Sequence, residues 1–213
     1  FTDFINKENL SKILNVNTIK SVLILIYFIT SYSDDKCGKN ININIILTHF
    51  KKYMPTNKND IIGVNNVNSG YSTAGCNNTT TLVIYREEEW FKVLIHELFH
   101  NVNLDFSTNN IKPSIKLLSK EFGVKSDYCF FESYCEMWAR LLNVCIKSFI
   151  ITSKVNNISE ISDTNYFKRI NEYNKYFHNN IQLERVHTLK IASEIMMRFD
   201  NYKDYKEDSN VFC

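Results

Sequence analysis

Between Thr79 and Asn101 the hydrophobic period of the chain changes, and that change constrains the fold more than any other feature. "TTTLVIY", Thr79 to Tyr85, is β-branched, apolar and about one strand long. "REEEWFKVLIHELFHN", which follows at once, carries its apolar residues at helical spacing. A strand must therefore run straight into a helix. That helix is apolar on most sides (Val93, Leu94, Ile95, Leu98, Phe99) yet carries His96, Glu97 and His100. An uncompensated glutamate on a buried helix is costly. The three polar residues thus demand partners.

Around this junction the chain divides unevenly. The N-terminal part reads as mixed. A helix capped by Asn17 or Thr18 is expected to run through "VLILIYFI" to about Tyr32, as a buried helix, because eight apolar residues are too few to span a bilayer. "ININIIL", Ile41 to Leu47, reads as a second strand, a neighbour of Thr79–Tyr85 joined to it by a turn at Gly75 to Asn78. Glu87, Glu88 and Glu89 fall where the first turn of the next helix is expected, as a solvated start. After it the pattern is mostly helical: Pro113 to about Phe122 with Gly123 at its end, a long amphipathic segment from Cys129, a polar loop over Ser153–Asp163, and one helix or two from Tyr166 to Arg198. The expected class is α+β, a single domain over 1–213. It has a small sheet-containing N-terminal lobe with the active-site helix (1–105) and a helical lobe (106–213).

Composition limits the function classes. A net charge of +2 over 213 residues gives no broad footprint for nucleic acid, and no membrane span is evident. Six cysteines are scattered without a CxxC pair and read as reduced thiols, which favours an intracellular protein. Sequons at Asn9, Asn77, Asn78 and Asn157 leave secretion open. The chain starts at Phe1, which leaves room for a leader or anchor upstream.

The chemistry sits in "IHELFHN", Ile95 to Asn101. Residues four apart on a helix differ by about 40° in azimuth, so His96 and His100 can meet one metal ion. Glu97 is turned by about 100° and can reach the water that the metal activates without occupying a coordination position. A zinc hydrolase uses three protein ligands, so a third is required. Continuing directly past the motif, a metzincin extension has a glycine and a third histidine. Here Asn103 and Phe106 stand at those places, and Asp105 is one residue short. Further on, "FESYCEMWA" places Glu132, Glu136 and Ala139 on one helix face. Cys129 and Cys135 flank Glu132 and read as buried, inert thiols.

HExxH followed by ExxxE and then alanine resembles the gluzincin group of zinc metallopeptidases. The stretches "IYREEEWFKVLIHELFHNVNLDFS" and "ESYCEMWARLLN" are also similar to uncharacterised proteins of giant DNA viruses, which would put the chain in host cytoplasm or virion. The resemblance rests on about fifty residues within Thr80–Asn143. It implies a zincin-like fold and one zinc ion per chain held by His96, His100 and Glu132. It further implies Glu97 as catalytic base and Glu136 as support for a ligand histidine, where the group often has aspartate. A polypeptide substrate would lie as an added strand along Asn66–Ser72 or Thr79–Tyr85. Transition-state stabilisers are sought among His187, Tyr71, Tyr128 and Tyr134. The alternative is a scaffold of the same shape, or a helical interaction domain, with zinc structural or absent.

Overall fold

A computed structural model describes residues 15–57, 60, 62–73, 75–107, 111–122, 129–155 and 163–198. The elements are α1 (Val16–Thr30), β1 (Asn40–Thr48), α2 (Val64–Val67), β2 (Gly70–Ser72) and β3 (Thr79–Arg86). They continue with α3 (Trp90–Asn101), α4 (Lys112–Phe122), α5 (Phe130–Val155) and α6 (Asp163–Arg198). The expected α+β class is observed.

Among the described residues the sheet has three strands in the order β1-β3-β2. β1 and β3 are neighbours, as expected, but they run parallel, from Asn40 opposite Thr79 to Ile45 opposite Ile84. The register then shifts where Leu47 adopts a left-handed φ of 50°. A tight turn cannot join parallel strands, which require a long crossover. The turn at Gly75–Asn78 instead leads from β2 into β3, and these two are antiparallel, with Tyr71 opposite Val83. β2 has only three residues, too few for alternation to reveal it.

The parallel register corrects a second expectation. Cys37 and Cys76 form a disulfide with an S–S distance of 2.03 Å. Each stands three residues before the pair Asn40 and Thr79 that opens the ladder. Equal offsets from a parallel pair lie side by side, although 39 residues separate the two cysteines in sequence. Reduced thiols therefore hold only for Cys129, Cys135 and Cys145 among the described residues. The ground for expecting an intracellular location is removed, since disulfides persist in oxidising surroundings.

α1 is capped by Asn15 and not by Asn17 or Thr18, with the Asn15 side chain accepting from the Thr18 amide at 3.0 Å. It is not a buried helix throughout. Leu25 and Ile29 are buried and Val22 and Ile26 pack beside them, whereas Leu23, Ile24 and Tyr27 are exposed. Eight consecutive apolar residues wrap the whole helix surface, and only one stripe of it meets the core. No helix among the described residues is long and apolar enough to cross a membrane.

The acidic run also lies elsewhere than expected. α3 starts at Trp90, so Glu87, Glu88 and Glu89 precede its first turn. Glu89, with φ 57°, turns the chain from β3 into the helix. Glu87 contacts His49 at 2.8 Å, and Glu89 lies 3.4 Å from both Lys52 and Lys92. One core collects Leu25 and Ile29 of α1, Leu82 and Ile84 of β3, Leu94 and Leu98 of α3, and Cys135 and Ala139 of α5. It thus draws on both sides of residue 105. α6 packs on α5 in the opposite direction: Arg140 meets Glu184, and Ser148 meets Asn180.

Candidate metal centre

The sheet and α5 hold α3 between them. Leu94, Ile95 and Leu98 are fully buried, which fixes the rotation of the helix about its axis. His96 and His100 then share the face turned to α5. That helix comes close because its position facing the core is Ala139, also fully buried, and because Phe99 stacks on Trp138 with ring centroids 6.4 Å apart. Two turns before Ala139, Glu132 arrives between the histidines.

The result is a nearly equilateral triangle of ligand atoms. His96 Nε2 lies 3.1 Å from Glu132 Oε2, His100 Nε2 lies 3.3 Å from the same oxygen, and the two Nε2 atoms are 3.1 Å apart. Tetrahedral zinc with ligands at 2.0–2.1 Å sets neighbouring ligand atoms about 3.3 Å apart. Three donors at these spacings fit one such ion, and no fourth His, Cys, Asp or Glu joins the group among the described residues. His96, His100 and Glu132 are the group that could hold a metal ion among the described residues.

Each histidine has a carboxylate on its other side. His100 Nδ1 is 2.8 Å from Asp105 Oδ2, and Asp105 is buried and held in turn by the Ser107 amide (3.0 Å) and hydroxyl (2.7 Å) on Oδ1. The chain reverses after α3 through left-handed φ angles of 59° at both Asn103 and Phe106. That reversal brings Asp105 back onto the helix. His96 Nδ1 faces Glu136 Oε2 at 3.4 Å, within ion-pair range but without a hydrogen bond to it among the described residues. Glu136 Oε1 meanwhile accepts from Lys92 Nζ at 2.7 Å and Arg140 Nε at 2.8 Å. The buried thiol of Cys135 stands 3.8 Å from His100 Nδ1, on the side away from the triangle.

Glu97 accepts a hydrogen bond from the Ser72 hydroxyl of β2 at 2.8 Å. β2 reaches this position because residue 70 is glycine. A Cβ there would stand 2.8 Å from the Val83 carbonyl oxygen and 2.9 Å from Val93 Cγ1.

Burial and charge work against each other throughout the site. Burial raises the Glu97 pKa above the usual carboxylate range, although His96 and the Ser72 hydrogen bond pull it down. Burial lowers the pKa of both histidines, but it is outweighed at His96 by Glu132 and Glu136, and at His100 by Cys135, Glu132 and Asp105, so that both stay above the ordinary value. Burial raises Glu132, yet contact with the two imidazoles brings it down to about 2. Glu136 is likewise desolvated but kept below its ordinary value by His96 and Lys92.

Not every expected residue joins this group. Tyr71 alternates with Gly70 and Ser72 on β2, so it points to the opposite face of the strand, and it is 57% exposed. Tyr134 packs on Phe106 at 4.6 Å, in an aromatic cluster with Phe99 and Trp138. His187 is exposed on α6, and Tyr128 lies outside the described residues. Thr79–Tyr85 is the central strand, with a neighbour on each side, so of the two expected segments only Asn66–Ser72, which contains β2, reaches an edge of the sheet. Sequence reasoning missed the contact of Ser72 with Glu97, Lys92 and the role of Asp105. Lys92 had a signal: a lysine in an apolar helix, four residues before His96.

No family model, no curated protein and no solved structure matches this chain.

Proposed function

We propose that the chain is a zinc-dependent metallohydrolase, a peptidase of the gluzincin type. The observation that carries this reading is the triangle of His96, His100 and Glu132, at tetrahedral spacing, with Glu97 beside it and not in it. His96, His100 and Glu132 would hold a zinc ion, which would supply Lewis-acid polarisation of a carbonyl and a water of pKa lowered to about 7. Glu97 takes the proton of the attacking water on a carboxylate oxygen and passes it to the leaving amine. In the metal-free protein burial raises its pKa, in the direction of that of the water it would serve. Ser72 holds the Glu97 carboxylate in place until substrate arrives. Asp105 and Glu136 orient the two imidazoles from behind.

A polypeptide substrate is the partner that β2 suits. The hydrogen bonds from Thr73 N to Thr81 O and from Tyr85 N to Ser69 O turn alternate peptide groups toward β3. The N–H and C=O groups of Gly70 and Ser72 therefore point outward, ready to pair with an added strand. That strand would run beside Glu97, because Ser72 already touches it.

Glu97→Gln tests the base. The variant is expected to keep about one zinc per chain and to lose peptide hydrolysis by about a thousandfold or more, as for loss of a general base in a preorganised site. A peptide library read by mass spectrometry gives the comparison. Wild-type cleavage rates in the variant would remove Glu97 from this role. Zinc bound by wild type with no cleavage of any peptide would leave the scaffold reading in its place.

A further inference from the structure

Asp105 and Glu136 stand in the same relation to the two ligand histidines, yet they are fixed differently. Asp105 is short, five residues from His100, and tied to its own loop. Glu136 has one more rotatable bond, comes from another helix, and faces its histidine at 3.4 Å. Something else must hold it. Lys92 lies one turn before His96 on the same face of α3 and is buried, a place where an ammonium group is costly unless paired. It donates to Glu136 Oε1 at 2.7 Å. Arg140, one turn after Glu136, donates to the same oxygen at 2.8 Å. Its Nη1 continues to Glu184 Oε2 at 2.9 Å and Thr188 Oγ1 at 3.4 Å on α6. Two cations from two helices thus occupy one carboxylate oxygen and leave the other facing His96 Nδ1.

We propose that Lys92, together with Arg140, is a positioning residue for the metal centre: the pair clamps Glu136 so that its remaining oxygen sets the ring orientation of His96. The clamp also ties α6 to the centre through Glu184. The inference rests on the zinc reading above, but it concerns residues that touch neither metal nor substrate. Removing one arm lets the Glu136 carboxylate rotate, and His96 then loses the charge that faces its Nδ1 and orients the ring.

The test uses the whole chain with Lys92→Met, Glu136→Gln and the double variant. Zinc affinity is measured by chelator competition, and the visible spectrum is recorded with cobalt in place of zinc. Lys92→Met is expected to weaken zinc binding by about 10- to 100-fold, the usual range for residues that orient a ligand. Its cobalt bands should shift in the same direction as in Glu136→Gln. The double variant should bind within about threefold of Glu136→Gln alone, since the two act on one group. Wild-type affinity and spectrum in Lys92→Met would overturn the clamp, and so would losses that multiply in the double variant. Arg140→Met, at a less buried position, is expected to shift the same bands; it serves if Lys92→Met does not fold, and an unshifted spectrum there would be equally damaging. A wild-type chain that binds no zinc would sink the metal reading and the clamp together. Wild-type binding with an indifferent Lys92→Met would sink the clamp alone.

Discussion

The two halves of the metal centre are built by different means. One half is local: His96, Glu97, His100 and Asp105 lie within ten residues, on one helix and the reversal after it. The other half is assembled: Glu132 and Glu136 come from α5 and Ser72 from β2, and each depends on an element packing at the right distance from α3. The local half is the tighter one, with Asp105 at 2.8 Å from His100 against 3.4 Å between Glu136 and His96. Short-range geometry follows from helix spacing and two left-handed residues. Long-range geometry has to be paid for in packing, which is why Ala139 and Gly70 sit where any larger side chain would push α5 or β2 away.

The contrast can be broken first at Ala139. Replacing it by leucine inserts three heavy atoms into a filled core, at a cost of about 1–3 kcal/mol. The displaced α5 should carry Glu132 out of the triangle while leaving the histidine pair intact. Denaturant unfolding of the metal-free protein, together with zinc affinity, should show a stability loss of that size and a drop in affinity of about tenfold or more. Unchanged zinc affinity despite the stability loss would mean that the position of α5 is not what assembles the site.

A smaller effect sharpens the contrast through pH. In the metal-free protein both histidines are held above their ordinary value, His96 by Glu132 and Glu136 and His100 by Cys135, Glu132 and Asp105. A metal ligand must be the neutral imidazole, so zinc displaces protons. The metal-free state binds more protons than the zinc-bound state at neutral pH, and raising pH therefore favours zinc. Affinity should climb above pH 6.5 by up to about tenfold per pH unit for each proton released. A pH-indicator titration should register that release. A zinc affinity that stays flat between pH 6.5 and 8 would contradict the charge balance described for this site.

The same division explains what was legible in the sequence. The strand-to-helix junction at β3 and α3 was readable because the period changes within a few residues. His96, Glu97 and His100 were readable as one constellation for the same reason: four-residue spacing on a helix is a local rule. Glu132 and Glu136 were visible only because ExxxE shares a helix face, and their distance from α3 was not. The bounds of β2 were not legible within the expected segment Asn66–Ser72 because three residues carry no period, and the contact of Ser72 with Glu97 was not legible either. The Cys37–Cys76 bond escaped because it follows from a parallel register, and the strands had been joined by a turn that only antiparallel neighbours allow. Asp105 was noticed as a misplaced ligand. Its actual position, behind His100, depends on the left-handed turns at Asn103 and Phe106. The exposed side of α1 shows the limit of hydrophobicity alone: an apolar run says that a helix can be buried, not how much of it will be.

The most direct measurement of the central claim is zinc per chain by elemental analysis, on the wild-type protein and on Glu132→Ala. One zinc per wild-type chain, with affinity lowered by about a hundredfold or more in the variant, is the expected result for an ion held by His96, His100 and Glu132. Equal zinc content and affinity in both proteins, or none in either after zinc has been supplied, would contradict it.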